Sequence, residues 1–170
     1  AKREKGEGVV KRFSTKLSQI DFQDAGDELR EKTLYASEAE TFSGKEELEV
    51  IIEPMELQGL LNVITAASNG EYVNRKMSPW IGKPGEQVAT EALTVIDDGR
   101  IPGGLRSALA DDEGVPTTRK FIIEKGILKS YLFDSYNAGI FGTESTGNGF
   151  RRGITSIEDS HVRPVSCTAS

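Results

Sequence analysis

The stretch Asp97 to Gly114, DDGRIPGGLRSALADDEG, sets two acidic doublets on either side of a Pro-Gly-Gly turn, and the second doublet continues into Glu113. Asp97, Asp98, Asp111, Asp112 and Glu113 are oxygen donors that could surround a hard cation such as Mg²⁺ or Ca²⁺, or serve as general acid and base. Their spacing lacks the close alternation of ligands found in an EF-hand loop. Nitrogen and sulfur donors are scarcer: the chain has one histidine, His161, and one cysteine, Cys167. A catalytic zinc takes three protein ligands, so a histidine-rich zinc site cannot be built. A Ser-His-Asp triad would have to use His161 in the loop-like EDSHVRP, and no G-x-S-x-G supplies its elbow. GTESTGNG has the glycines of a phosphate-cradling loop but not the Gly-Lys-Ser/Thr ending.

Composition narrows the field further. With 36% hydrophobic and 28% charged residues, the 170-residue chain is too apolar to be wholly disordered and too polar for a membrane protein. No apolar run approaches the ~20 residues of a spanning helix. The charged start AKREKGEG has no apolar core behind it, unlike a secretory signal. One cysteine rules out an internal disulfide and fits a reducing, cytoplasmic setting. A net charge of −6 argues against direct nucleic-acid binding, and the one basic cluster, Arg151-Arg152, reads as a solvated loop.

Several elements must position these groups. GVVKRF (8–13) and ELEVIIE (47–53) read as strands, the second from its β-branched run. The spacing of Phe22, Ala25, Leu29 and Ala36 predicts an amphipathic helix with Asp21 as N-cap. Ser43 to Lys45, SGK, reads as a turn. Pro54 suits the first position of a helix PMELQGLLNVITAA, whose Met55, Leu57, Leu60, Leu61 and Ile64 form the wide apolar face of a core helix. SNGEYVNRKMSPWIGKPGEQVA reads as one long loop carrying the only tryptophan, Trp80. EALTVIDD is a strand, KFIIE and ILKSYLFD flank a Lys125-Gly126 hairpin turn, and DSYNAGIFG is a short helix ending at Gly142. Beyond Thr143 no period stands out, and CTAS reads as mid-loop. The order implies an α+β fold, a mixed, largely antiparallel sheet with a few helices packed on it, and an incomplete domain.

The ordered set DDG, PGG, DDEG-P-T, IEKGILKSYL-DSYNA and STGNG, across Ala92 to Arg152, resembles the C-terminal core of the TldD/PmbA family, described as modulators of DNA gyrase and as zinc metallopeptidases. SGKEELEVIIEPMELQGLL resembles the strand and helix that open that domain. The resemblance implies residues 1–42 as the tail of a preceding central domain with a linker helix, and 43–170 as the first part of the C-terminal domain. The family's HExxxH motif would fall on NVITAA, where Asn62, Val63 and Ala67 stand at the His, Glu and His positions. This pattern is similar to the PmbA/TldE branch, which implies a degenerate site with no catalytic or metal-binding residue of its own.

The expected function is therefore a PmbA/TldE-like subunit of a TldD/PmbA-type peptidase system. Zinc would reside in a TldD-like partner subunit, the assembly would be a homo- or hetero-oligomer, and the substrate a peptide or unfolded protein. Trp80 and the loop residues Ser145, Thr146 and Asn148 are candidate substrate contacts. One alternative is an independent metallopeptidase using the acidic residues; another is a non-catalytic gyrase-interaction module.

Overall fold

The computed structural model describes residues 2–3, 6–41, 43–45, 47–151, 161–162, 164 and 167–169. The chain divides into two units, Ala1–Ile51 and Ile52–Ser170. In the first, strands β1 (Lys2–Arg3) and β2 (Gly6–Glu7) pair antiparallel beside helix α1 (Phe22–Glu38), with a 3₁₀ turn at Leu17–Gln19 between them. Asp21 caps α1 as its position predicts, its side chain accepting from the Asp24 N–H at 3.0 Å. Arg12 reaches across to Asp24 at 2.9 Å and to Glu28, which also meets Lys32 at 3.0 Å. The hydrogen bond from Arg12, then that from Lys32, holds the Glu28 carboxyl below its usual value, and the same contact raises the Arg12 guanidinium.

The expected strand at 8–13 is not formed. Gly8, Val10 and Arg12 alternate inward with exposed Val9, Lys11 and Phe13 as a strand would, but no described residue pairs with the segment to form a ladder. The strand expected at 47–53 is likewise absent. Ile51 is 98% exposed, and none of the described residues supplies a ladder for the run. Ser43 to Lys45 is irregular rather than a turn.

The second unit opens with α2 (Pro54–Ala67), Pro54 occupying its first turn as read from the sequence. Leu61 and Ile64 pack on the core, but Met55 and Leu60 are exposed, so only part of its apolar face is used. The long loop after α2 contains a short helix, α3 (Gly70–Asn74), capped by Asn69 through a 2.8 Å bond from the Glu71 N–H. Gly70 fits here because a Cβ would strike the Phe133 ring and the Leu132 carbonyl.

The sheet runs in the order β5-β4-β3-β8, with β3 at Val95–Asp98, β4 at Arg119–Glu124, β5 at Ile127–Leu128 and β8 at Cys167–Ala169. All its ladders are antiparallel; outside it, among the described residues, an isolated parallel bridge joins Asn69 and Leu132. β3 is shorter than its sequence suggests, and most of ILKSYLFD continues past β5 without a ladder. The β4–β5 turn places Lys125 at φ 47° and Gly126 at φ 78°, the two positive values of a primed hairpin turn. CTAS, expected in a loop, supplies β8, which closes the free edge of β3 by pairing Val95 with Ala169 and Asp97 with Cys167. His161 likewise lies in a strand: β7 (His161–Val162) pairs with β6 (Gly149–Phe150). Helix α4 (Ser135–Phe141) ends on Gly142 in the left-handed region. Val95, Ile122, Ile123, Leu128 and Leu132, all fully buried, form the centre of an α+β core.

Candidate functional site

The three positions singled out on α2 lie on its last turns. Asn62 and Val63 are exposed, while Ala67 is buried and its carbonyl accepts a bond from Ser78 Oγ. Five residues of α-helix turn through ~500°, so positions 62 and 67 point about 140° apart. Their side chains are a carboxamide, an isopropyl and a methyl group, a set without an imidazole or carboxylate.

The acidic residues do not converge. Asp98 Oδ1 accepts from the Arg100 N–H at 2.9 Å, closing a local Asx turn, and Oδ2 lies 3.8 Å from Arg119. Asp111 is the most heavily used. Its Oδ1 accepts from the Glu113 and Val115 N–H groups at 3.0 and 2.9 Å, and its Oδ2 from the Gly149 N–H at 2.9 Å. Asp112 Oδ2 accepts from the Arg151 N–H at 2.7 Å. Glu113 reaches a distant helix end instead of its own turn, accepting from the Ser135 N–H at 2.7 Å beside the cap Asp134. These carboxylates satisfy backbone donors, and among the described residues no cluster of three or more His, Cys, Asp or Glu forms.

Asp97 is different. Two residues on from Val95, it occupies an inward position of β3 with no exposure, and Lys120 Nζ lies 3.0 Å from its Oδ2. Lys120 escaped the sequence reading. The signal was its register opposite Asp97 across β3 and β4, which cannot be assigned before the strands are paired.

Ser145, Thr146 and Asn148 meet the chain's own core. Ser145 Oγ donates to the Phe133 carbonyl at 3.2 Å, and Thr146 Oγ1 accepts from the Phe133 N–H at 2.7 Å. Thr146 Oγ1 also donates to Asn148 Oδ1 at 2.7 Å, and buried Asn148 donates from Nδ2 to Asp97 Oδ2 at 2.8 Å. Loop 145–149 is therefore a clasp joining β3, the turn at 111–115 and the segment before α4. Trp80 lies elsewhere, half-buried against the core; its backbone N–H donates to Ser78 Oγ at 3.0 Å and its backbone carbonyl accepts from the Tyr131 hydroxyl. Arg151 is exposed, while Arg152 falls outside the described residues.

Residues 45–166 match the model of the PmbA/TldA metallopeptidase C-terminal domain. A metalloprotease of Methanocaldococcus jannaschii is 41% identical over 112 residues, covering 65% of this chain and 25% of its own length. The crystal structure of TldE from Thermococcus kodakarensis aligns at 38% identity with a TM-score of 0.58, over 65% of this chain and 26% of that one. A Thermotoga maritima structure, described as a candidate modulator of a DNA gyrase, aligns at 30% identity with a TM-score of 0.77, over 91% of this chain and 34% of that one. The chain spans about a quarter of the length of two curated relatives from Methanocaldococcus jannaschii.

Proposed function

Because the chain belongs to the PmbA/TldD metallopeptidase family, we propose that it is part of a PmbA/TldE-like subunit that works with a metal-bearing TldD-like partner on peptides or unfolded protein. Asn62, Val63 and Ala67, at the positions where the family resemblance sets HExxxH, carry this reading. Zinc needs imidazole, thiolate or carboxylate donors, and these three residues do not fit it. No hydrolytic step is therefore assigned to this chain. Its likeness to a structure named TldE supports the same branch. In this reading residues 1–42 are the tail of a central domain and 43–170 the first part of the C-terminal domain, within a cytoplasmic hetero-oligomer.

The chain's contribution is scaffold. It presents exposed Asn62 and Val63 from a helix anchored by Leu61 and Ile64, and Trp80 from a loop pinned to Tyr131. The test is elemental analysis and a peptidase assay on the purified protein, alone and mixed with a TldD-like subunit retaining HExxxH. The expected result is no stoichiometric zinc and no hydrolysis alone, with activity on mixing. Tightly held zinc supporting hydrolysis by the isolated protein would overturn the proposal.

A further inference from the structure

Asp97 and three side chains near it, those of Lys120, Asn148 and Thr146, stand in an arrangement that exceeds what an ion pair needs. Lys120 Nζ and Asn148 Nδ2 converge on the same oxygen, Asp97 Oδ2, at 3.0 and 2.8 Å. This shared acceptor holds an amine beside a carboxamide. The other end of that carboxamide is fixed too, since the Thr146 hydroxyl donates to Asn148 Oδ1 at 2.7 Å. Asp97 and Asn148 have no exposure, and the Lys120 side chain keeps only 13% of its own. In chemical terms these are a nucleophile, an electrophilic carbonyl, a carboxyl in contact with both nitrogens, and a donor aimed at the oxygen where charge would develop.

We propose that Lys120 and Asn148 become joined by an intramolecular isopeptide bond, formed within the folded chain with Asp97 carrying the protons. The Nζ–Cγ bond forms and the Cγ–Nδ2 bond breaks, releasing ammonia. Of the three protons on the Lys120 ammonium, one stays on the new amide. One passes through the Asp97 carboxyl to Nδ2 and departs with the ammonia, and the third remains on Asp97. No oxidant or co-reactant is required. Bonded to one oxygen at 3.0 and 2.8 Å, the two nitrogens lie within about 6 Å of each other in the folded chain, which replaces a bimolecular encounter with an intramolecular one. The Thr146 hydroxyl sits where it can stabilise the tetrahedral oxyanion, and burial keeps competing water away. The product would tie β4 covalently to the 145–149 clasp.

The purified protein should be lighter than its sequence mass by one ammonia, and a tryptic digest should contain one branched peptide linking Lys120 to Asn148. Asn148-Gly149 can also lose ammonia by closing to a succinimide, but hydroxylamine opens a succinimide and leaves an isopeptide intact. Lys120→Arg should restore the full mass. An unchanged mass after long incubation of the folded protein would overturn the proposal, as would an ammonia loss that is hydroxylamine-sensitive and persists in K120R. Because peptide mapping of the unaltered protein is decisive by itself, the test does not depend on whether the variant folds.

Discussion

Asp111 and Asp112 are adjacent carboxylates of equal charge, and replacing each with alanine should have very different consequences. Asp111 is 7% exposed and holds three backbone N–H groups, whereas exposed Asp112 holds one. A buried donor left without its acceptor costs about 1–3 kcal/mol. In Asp111→Ala the Gly149 N–H is buried and loses nearly the full amount; the Glu113 and Val115 groups are partly hydrated and lose less. The sum is about 3–4 kcal/mol, a large part of the ~5–15 kcal/mol by which a domain is stable. Asp112→Ala should cost no more than about 1 kcal/mol, because water replaces the lost acceptor. Asp111→Asn keeps one acceptor oxygen for two of the N–H groups but turns an NH₂ toward the third, and should fall between. Urea unfolding midpoints at neutral pH measure the series, with metal content followed alongside. Equal losses in D111A and D112A, or a loss below about 1 kcal/mol in D111A, would refute the assignment of this carboxylate to backbone donors. A fall in bound metal in both variants would restore the cation-site reading.

Three further outcomes follow from single contacts. Lys125→Asn should raise stability by about 0.5–1 kcal/mol in thermal melts, since asparagine tolerates the φ of 47° that lysine resists and makes the turn Asn-Gly. Tyr131→Phe removes the hydroxyl that donates to the Trp80 carbonyl; a loss of about 1 kcal/mol and a red shift of the single tryptophan's fluorescence are expected. The Glu28 carboxyl, held below its usual 4.5 by Arg12 and Lys32, stabilises the fold above that pH. That contribution disappears as pH falls through its lowered value, so Glu28→Gln should flatten the melting temperature against pH below 4.5.

The local elements of the fold were legible where a cap, a turn or a helical period defined them. Asp21 and Pro54 marked the starts of α1 and α2, Lys125-Gly126 marked the hairpin, and Gly142 marked the end of α4. Strands resting on propensity alone fared worse. ELEVIIE has the β-branched run but no ladder among the described residues, and β propensity reflects a surface to pack on. Cys167–Ala169 is a strand because β3 offers it an edge, a cause its own residues do not contain. The candidate site divides along the same line. The bonds of Asp98 to Arg100 and of Asp111 to Glu113 and Val115 span only a few residues, whereas Lys120 opposite Asp97 and Glu113 at Ser135 depend on tertiary placement.

The 145–149 clasp also bears on the order in which the molecule assembles. Its bonds reach back 51 residues to Asp97 and 38 to Asp111, so each closes a long chain loop whose entropy must be lost before any bond repays it. The β4–β5 hairpin carries no such cost, since its partners are neighbours in sequence. Closure of the clasp therefore belongs late in folding, after β3 and the turn at 111–115 already exist as targets. Interactions made after the transition state govern the unfolding rate, so Asn148 and Thr146 set how long the native state persists more than how fast it is reached.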